Sequence, residues 1–135
     1  MHENDPATSV FVYGTLKRRQ VRERAWPRIP RRIEPAWTLG RLFDLGPYPA
    51  LIAGGDRVLG ELWHFTLEDL PETLHILDAI EGFRNEPGDL YRRVVIECAT
   101  ESGVAARAYT YHYARPLPAS ARLVPANPSG FAVWP

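Results

Sequence analysis

The sequence predicts an α+β domain in which a mixed or mainly antiparallel sheet curls toward a barrel. Three observations lead to this fold class. Five or six short segments are rich in β-branched and aromatic residues, one segment carries an apolar helical stripe, and strands do not alternate with helices. A doubly wound parallel sheet requires that alternation and is therefore disfavoured. The chain has 135 residues, 45% of them hydrophobic, which fits a single domain over residues 1–135 with a core at about 9–115.

Proline and glycine residues divide the chain into its predicted strands. The first strand is apolar on both faces and stops at Gly14. Three prolines, Pro27, Pro30 and Pro35, limit any helix between the first two strands to a short one. The Gly-Gly-Asp sequence at 54–56 predicts a turn between the third and fourth strands. The strands are predicted, in order, at residues 9–13, 37–45, 50–53, 57–65, 91–100 and 105–113.

One helix is predicted between the fourth and fifth strands. Thr66 is a plausible N-cap, and Gly82 stands where a helix commonly ends in a left-handed residue. Apolar residues recur between them at steps of four, three and three, which is the spacing of one helix face. The residues of this stripe are Leu70, Leu74, Leu77 and Ile80. The tail after Pro116 shows no periodicity until residues 131–134.

Charge and composition bear on the partners of the chain. The net charge is zero, yet residues 17–32 hold eight of the 16 basic residues. Such a run is typical of a solvated surface, and an alternative is nucleic-acid contact through phosphates, with Trp26 and Trp37 stacking on bases. No apolar run approaches the roughly 18 to 20 residues of a membrane span. The neutral net charge and the scattered prolines disfavour nucleic-acid contact. The polar start at residues 1–8 lacks the layout of a signal peptide, so we expect a cytoplasmic protein that does not bind a membrane.

Several kinds of site are disfavoured by the residues present. Cys98 is the only cysteine, which excludes an internal disulfide and a cysteine-based metal site. It lies in an apolar strand, where a buried, inert thiol is more common than a nucleophile. The histidines, His2, His64, His75 and His112, show no metal-ligand spacing. No serine lies in a Gly-x-Ser-x-Gly turn, and we expect no metal ion or cofactor.

Two local features are candidates for a site. Glu81 falls at the C-terminus of the predicted helix, where the helix dipole opposes a negative charge by roughly 0.3 to 1 kcal/mol. A raised pKa is one interpretation, an exposed acid that tolerates the penalty is the other, and Asp78 could contribute a like charge or hydrogen-bond nearby groups. At Tyr13 to Lys17 a buried strand ends at a glycine, so the following amides could face a ligand or simply form a tight turn.

Five sequence motifs occur together in one order. They are Val-Phe-Val-Tyr-Gly-Thr-Leu-Lys at 10–17, Gly-Pro-Tyr-Pro-Ala at 46–50, Gly-Glu-Leu-Trp at 60–63, Leu-Asp-Ala-Ile-Glu-Gly at 77–82 and Leu-Tyr-Arg-Arg-Val at 90–94. In this order the chain resembles the γ-glutamylcyclotransferase-like family, in particular its short bacterial and γ-glutamylamine cyclotransferase (AIG2-like) branch. The resemblance runs from about Val10 to Tyr113. It departs from the family after Lys17, where Arg-Arg-Gln-Val-Arg replaces the glycine and asparagine or histidine often found there.

The resemblance implies a fold, a reaction and a set of residues. The fold would be a small mixed, mostly antiparallel β-barrel with flanking helices. The α-amine of a γ-glutamyl substrate would attack its own γ-carbonyl and release 5-oxoproline and a free amine, without a cofactor, in a monomer or homodimer. Glu81 would be the general acid/base. The loop residues that would bind the glutamyl end are Tyr13, Gly14, Thr15 and Leu16.

Two further residues and one alternative complete the sequence-based expectations. Tyr91 and Arg92 begin the strand that follows the helix, and either could line the same cavity or serve the structure alone. The alternative is a non-catalytic module of the same fold that binds small acids. The presence of Glu81 disfavours this alternative, because an inactive relative is expected to lose the acid.

Overall fold

The computed structural model describes residues 7–135, which fold around a closed five-stranded barrel. The polar start of the chain and His2 lie outside the described residues, apart from Ala7 and Thr8. The elements, in chain order, are β1 (Ser9–Val12), a 3₁₀ turn (Glu23–Ala25), β2 (Arg32–Asp44), β3 (Pro49–His64), α1 (Leu70–Glu81), β4 (Tyr91–Thr100), β5 (Ala105–Tyr113) and β6 (Arg122–Leu123). No helix within residues 7–135 is long and apolar enough to cross a membrane.

The sheet is mixed and mostly antiparallel, which confirms the predicted fold class. The strand order is β3-β1-β5-β4-β2-β6, and an additional pairing of β2 with β3 closes the barrel. The one parallel pair among the described strands is β1 with β5; the pairs β1–β3, β2–β3, β2–β4 and β4–β5 are antiparallel. Closure leaves β6, a two-residue strand on β2, outside the barrel ring. Within residues 7–135, the elements that flank the barrel are one helix, α1, and one 3₁₀ turn.

The predicted turn at residues 54–56 is wrong, because β3 continues through it. The register with β2 pairs Gly40 with Asp56 and then Arg41 with Ile52, so three residues of β3 bulge out opposite a single step of β2. A side chain at Gly54 would collide with the side chain of Arg41. The glycines therefore mark a bulge inside one long strand rather than the end of a strand.

Two predicted boundaries also differ from the structure. Strand β2 begins at Arg32 rather than Trp37 and includes Pro35, which is tolerated because β4 joins β2 only from Ala36 onward. Helix α1 begins at Leu70, whereas Thr66 caps the preceding turn, its hydroxyl accepting a hydrogen bond from the amide of residue 69 at 3.2 Å. The predicted helix end is confirmed, since Gly82 adopts the left-handed conformation with φ 70°.

The core has two parts that meet at β1. One fills the barrel and contains Phe11 and Leu62. The other lies between α1 and the outside of β1 and contains Val12. Helix α1 contributes its predicted stripe to this second part, with Leu70, Leu74 and Leu77 buried and Ile80 half-buried. The tail reaches beyond the predicted core range, because Ala132 and Trp134 are buried in the barrel core.

Candidate active site

A cavity opens at one end of the barrel, where the chain leaves β1, where α1 ends and where β4 begins. Its volume is about 80 Å³. Sites for whole drug-sized ligands usually measure about 300 to 1,000 Å³, so this cavity fits the end of a ligand rather than all of it. The lining residues are Phe11, Val12, Tyr13, Gly14, Thr15, Leu16, Arg22, Tyr48, Pro49, Ile80, Glu81, Leu90, Tyr91, Thr110 and Tyr111.

The loop after β1 forms one wall of the cavity. A side chain at Gly14 would place its Cβ 2.6 Å from Cγ of Pro49, so the close approach of that proline requires glycine here. Carbonyl groups of the loop hold the chain that follows. The Thr15 carbonyl accepts from the Arg22 amide at 2.8 Å, and the Leu16 carbonyl accepts from the indole of Trp26 at 3.0 Å.

The amide groups of the same loop are left free. The N–H groups of Gly14, Thr15 and Leu16 donate to no acceptor within residues 7–135. Buried backbone donors normally have partners, and a row of free ones can bind an anion or a polarised carbonyl. The loop therefore offers three unused donors beside the cavity.

Glu81 brings a carboxylate to the cavity at the last position of α1. It accepts no hydrogen bond and forms no ion pair with any residue between 7 and 135. Burial raises the pKa of Glu81 from its ordinary value of 4.5 to about 7, while the positive charge of Arg22 opposes part of that rise. The side chain is therefore able to hold and release a proton near neutral pH.

Asp78 has partners that Glu81 lacks. One of its oxygens accepts from Nη1 of Arg93 at 2.6 Å, and the other accepts from the hydroxyl of Tyr111 at 2.6 Å. The expectation that Asp78 hydrogen-bonds nearby groups is confirmed. The expectation that its charge raises the pKa of Glu81 is wrong, because burial causes that rise and Arg93 balances the charge of Asp78.

Two buried tyrosines fix the wall opposite the helix end. The hydroxyl of Tyr13 donates to the carbonyl of Tyr111 at 2.5 Å, and the hydroxyl of Tyr91 donates to the carbonyl of Pro49 at 2.6 Å. Burial raises the pKa of both tyrosines, and the nearby carboxylate of Glu81 adds to the effect. Both hydroxyls therefore stay protonated and serve as fixed hydrogen-bond donors.

The structure brings most of the sequence-predicted site residues together. The residues that line the cavity as expected are Tyr13, Gly14, Thr15, Leu16, Tyr91 and Glu81. Arg92 does not reach it and lies at a separate surface depression with Phe83 and Asp89. Successive side chains of a strand point to opposite faces, so burial of Tyr91 in the cavity turns Arg92 outward.

Arg22 also lines the cavity, although it was not among the predicted site residues. It lies in the arginine-rich run, where nothing in the local sequence distinguishes it from its neighbours. Tyr48, Thr110 and Tyr111 were missed as well, and only the pairing of distant strands brings them to the cavity. The Gly-Pro-Tyr-Pro-Ala motif that contains Tyr48 was the one available signal for these residues.

Half of the basic side chains at 17–32 make contacts within the protein. Arg18, Arg28 and Arg32 form ion pairs with Glu61, Glu72 and Glu34, respectively. Lys17 donates from Nζ to the carbonyl of Trp134 at 3.1 Å. These contacts lay the segment against the barrel beside the cavity.

The other candidates from the sequence lie away from the cavity. Cys98 is buried, its Sγ donates to the carbonyl of Ala106 at 3.5 Å, and burial raises the pKa of the thiol to about 12. His64 lies between Ser9 and Glu34, at 2.7 and 2.5 Å. No group of three or more potential metal ligands is found within residues 7–135.

Comparison with known proteins places this arrangement in context. Residues 10–130 match the model of a family described as gamma-glutamyl cyclotransferase, AIG2-like. An AIG2-like protein of Mus musculus superposes with a TM-score of 0.60 at 20% identity, covering 97% of each chain. A protein of Arabidopsis thaliana gives a TM-score of 0.62 at 26% identity, covering 98% of this chain and 81% of that one.

Two other similarities are partial. YkqA of Bacillus subtilis gives a TM-score of 0.60 at 22% identity over 80% of this chain, which spans 36% of that protein. The 6,7-dimethyl-8-ribityllumazine synthase of Thermotoga maritima is 39% identical over 69 residues. That match covers 47% of this chain and 42% of the synthase, so the chain spans less than half the length of that relative.

Proposed function

The chain belongs to the gamma-glutamyl cyclotransferase, AIG2-like family, and on that premise we propose that it is a γ-glutamyl (amine) cyclotransferase. The α-amine of a γ-glutamyl group attacks the γ-carbonyl carbon of the same group and closes a five-membered ring. The bond from that carbon to the acylated amine breaks. The products are 5-oxoproline and the free amine, which leaves with a proton.

The observation that carries this proposal is the unpartnered, half-buried carboxylate of Glu81. An α-amine has a pKa of about 7.7 to 8 and is mostly protonated at neutral pH. An ordinary glutamate at 4.5 would take that proton at a cost of roughly 4 to 5 kcal/mol, from the pKa difference at 1.36 kcal/mol per pKa unit. With the pKa of Glu81 at about 7, the cost falls to roughly 1 kcal/mol.

Glu81 then serves both proton transfers of the proposed reaction. It accepts a proton of the α-ammonium group, which makes the amine nucleophilic, and donates that proton to the leaving nitrogen as the carbon–nitrogen bond breaks. It then takes the second proton, which the attacking nitrogen loses on becoming the ring N–H, and passes it to the released amine. A group placed for general acid/base catalysis contributes a factor of roughly 10² to 10⁴ in rate. Since Glu81 covers each proton transfer, the proposed reaction requires no metal ion or cofactor.

The loop after β1 supports the second part of the proposal. Negative charge develops on the γ-carbonyl oxygen during attack, and the free amides of Gly14, Thr15 and Leu16 are donors suited to stabilise it. The walls made by Tyr13 and Tyr91 hold the glutamyl chain curled, so that the amine and the carbonyl meet. The small volume of the cavity fits this part of the substrate and leaves the departing amine outside.

The test is release of 5-oxoproline from a panel of γ-glutamyl amides and γ-glutamyl amino acids. Wild type, Glu81→Gln and Glu68→Gln are compared, because Glu68 is an exposed glutamate far from the cavity lining. We expect product from wild type and the Glu68 variant, and a loss of roughly 10²-fold or more in kcat for Glu81→Gln. Full activity of Glu81→Gln would remove Glu81 from the mechanism, and no product from any wild-type reaction would overturn the proposed reaction.

A further inference from the structure

Arg22 is the second charged side chain of the cavity. Among the lining residues, Arg22 is the one basic side chain and Glu81 is the one acidic side chain. The backbone of Arg22 is fixed, since its amide donates to the carbonyl of Thr15 at 2.8 Å and its carbonyl accepts from the amide of Ala25 at 3.0 Å. The base of this side chain is therefore held at the cavity wall.

The guanidinium group of Arg22 has no protein partner within residues 7–135. It forms no ion pair and donates no hydrogen bond there, although Arg18 and Arg28 in the same basic segment both pair with glutamates. Its charge nevertheless lowers the pKa of both Glu81 and Tyr91. Arg22 is thus a free cation close to the carboxylate that lines the same cavity.

We propose that Arg22 binds the α-carboxylate of the γ-glutamyl substrate and makes a free α-carboxylate a requirement for binding. This inference rests on the proposed function. The α-amine and the α-carboxylate are attached to the same carbon, so the groups that bind them must be neighbours, as Glu81 and Arg22 are. A planar guanidinium offers two parallel N–H donors to a carboxylate, which a free arginine at this wall is able to supply.

Binding of the substrate carboxylate to Arg22 also affects the pKa of Glu81. In the free protein, Arg22 holds the pKa of Glu81 below the value that burial alone would give. The substrate carboxylate balances the charge of Arg22 in the complex, and so removes the effect that Arg22 has on Glu81 in the free protein.

The test combines variants of Arg22 with a substrate that lacks the α-carboxylate. A γ-glutamyl amide is compared with the matching 4-aminobutanoyl amide, which would cyclise to 2-pyrrolidinone and release the same amine. The variants are Arg22→Gln and Arg22→Lys. Arg24→Gln is the control, because Arg24 is exposed in the 3₁₀ turn that follows Arg22 and does not line the cavity.

We expect Arg22→Gln to lower kcat/KM for the γ-glutamyl amide by roughly 10- to 100-fold, the usual effect of losing a hydrogen-bonded charge. At a pH above the acidic limbs of both proteins, its kcat/KM for the 4-aminobutanoyl amide should be unchanged, so that the preference of wild type disappears. Arg22→Lys should restore part of the preference, and Arg24→Gln should retain all of it. An equal loss on both substrates would overturn the proposal.

The pH dependence separates a binding role from a structural one. Loss of Arg22 removes the charge that lowers the pKa of Glu81 in the free protein. The acidic limb of kcat/KM should therefore move to higher pH in Arg22→Gln. The acidic limb of kcat should move in the same direction, because the bound substrate carboxylate then lies near Glu81 without a balancing cation. Acidic limbs of kcat/KM that coincide in Arg22→Gln and wild type would contradict the proposal.

A binding measurement distinguishes this proposal from the proposed reaction. Calorimetric titration with 5-oxoproline and with 2-pyrrolidinone requires no turnover, and the two ligands differ by the carboxylate. Preference for 5-oxoproline in wild type that is lost in Arg22→Gln supports the proposal even if no substrate is cyclised. Binding of neither ligand, or an unchanged preference in Arg22→Gln, would overturn it.

Discussion

Replacing Glu81 by glutamine should stabilise the folded protein at alkaline pH. The pKa of Glu81 is about 7 in the folded state against 4.5 ordinarily, so between these values the unfolded chain releases a proton that the folded protein retains. The free energy of unfolding therefore falls as the pH rises through this window, and stays low above it. The gap corresponds to about 3 kcal/mol at 1.36 kcal/mol per pKa unit.

Glutamine carries no charge, so Glu81→Gln does not show this pH-dependent loss in the free energy of unfolding. Glu81→Gln should therefore gain about 3 kcal/mol over wild type at pH 8 and under about 1 kcal/mol at pH 5. For a chain of this size, the gain at pH 8 corresponds to an increase of roughly 10 °C in Tm. Urea unfolding at both pH values measures the two gains, and Glu68→Gln serves as an exposed control that should change neither.

The sign of the change in stability and its dependence on pH both test whether Glu81 titrates near neutral pH. A variant that gains the same stability at pH 5 and pH 8 would show that Glu81 does not titrate near neutrality. A variant that is destabilised at pH 8 would show that the carboxylate has a partner that stabilises its charged form. Either result would remove the physical basis for a proton transfer by Glu81, whatever the activity of the variant.

Two further substitutions test the cavity walls. Gly14→Ala places a Cβ 2.6 Å from Cγ of Pro49. We expect the free energy of unfolding, measured in urea, to fall by about 1 to 3 kcal/mol, and 5-oxoproline release to slow. A variant as stable as wild type would show that the proline ring moves aside without a measurable cost. Tyr91→Phe removes the hydroxyl that donates to the buried carbonyl of Pro49, and we expect the free energy of unfolding to fall by about 1 to 3 kcal/mol. Tyr113→Phe should change it little, because no hydrogen bond of that hydroxyl is seen within residues 7–135. Equal losses of stability in the two variants would contradict this assignment.

Local patterns in the sequence predicted the parts of the fold that depend on neighbouring residues. The stripe of α1 and its end at Gly82 follow from helical spacing and from the conformation that glycine adopts at a helix end. The loop at Gly14 and the position of Glu81 follow from a strand end and a helix end, which are also local features. The order of five motifs then placed these features in one family, which the match over residues 10–130 confirms.

The features that were missed depend on residues far apart in sequence. The bulge in β3 was taken for a turn because Gly54 and Gly55 look the same in both, and only the register with β2 distinguishes them. The tail carries no periodic signal, yet its two buried residues, Ala132 and Trp134, complete the barrel core. Arg22 resembles the other arginines of its segment until the partners of those arginines are known.

Asp78 and Glu81 illustrate how such partners decide the chemistry of a site. They are three residues apart on α1, a spacing that places two side chains on the same side of a helix. Asp78 receives donors from β4 and β5, through Arg93 and Tyr111, and so ties the helix to the barrel as a charged, satisfied group. Glu81 receives none, so burial acts on it with only the partial opposition of the Arg22 charge, and its pKa rises to about 7. Hydrogen-bond donors and a neighbouring cation stabilise the charged form of a carboxylate and make it a poorer proton acceptor. The ability of Glu81 to act as the proposed base therefore depends both on its carboxylate and on the lack of hydrogen-bond donors from β4 and β5 at that carboxylate.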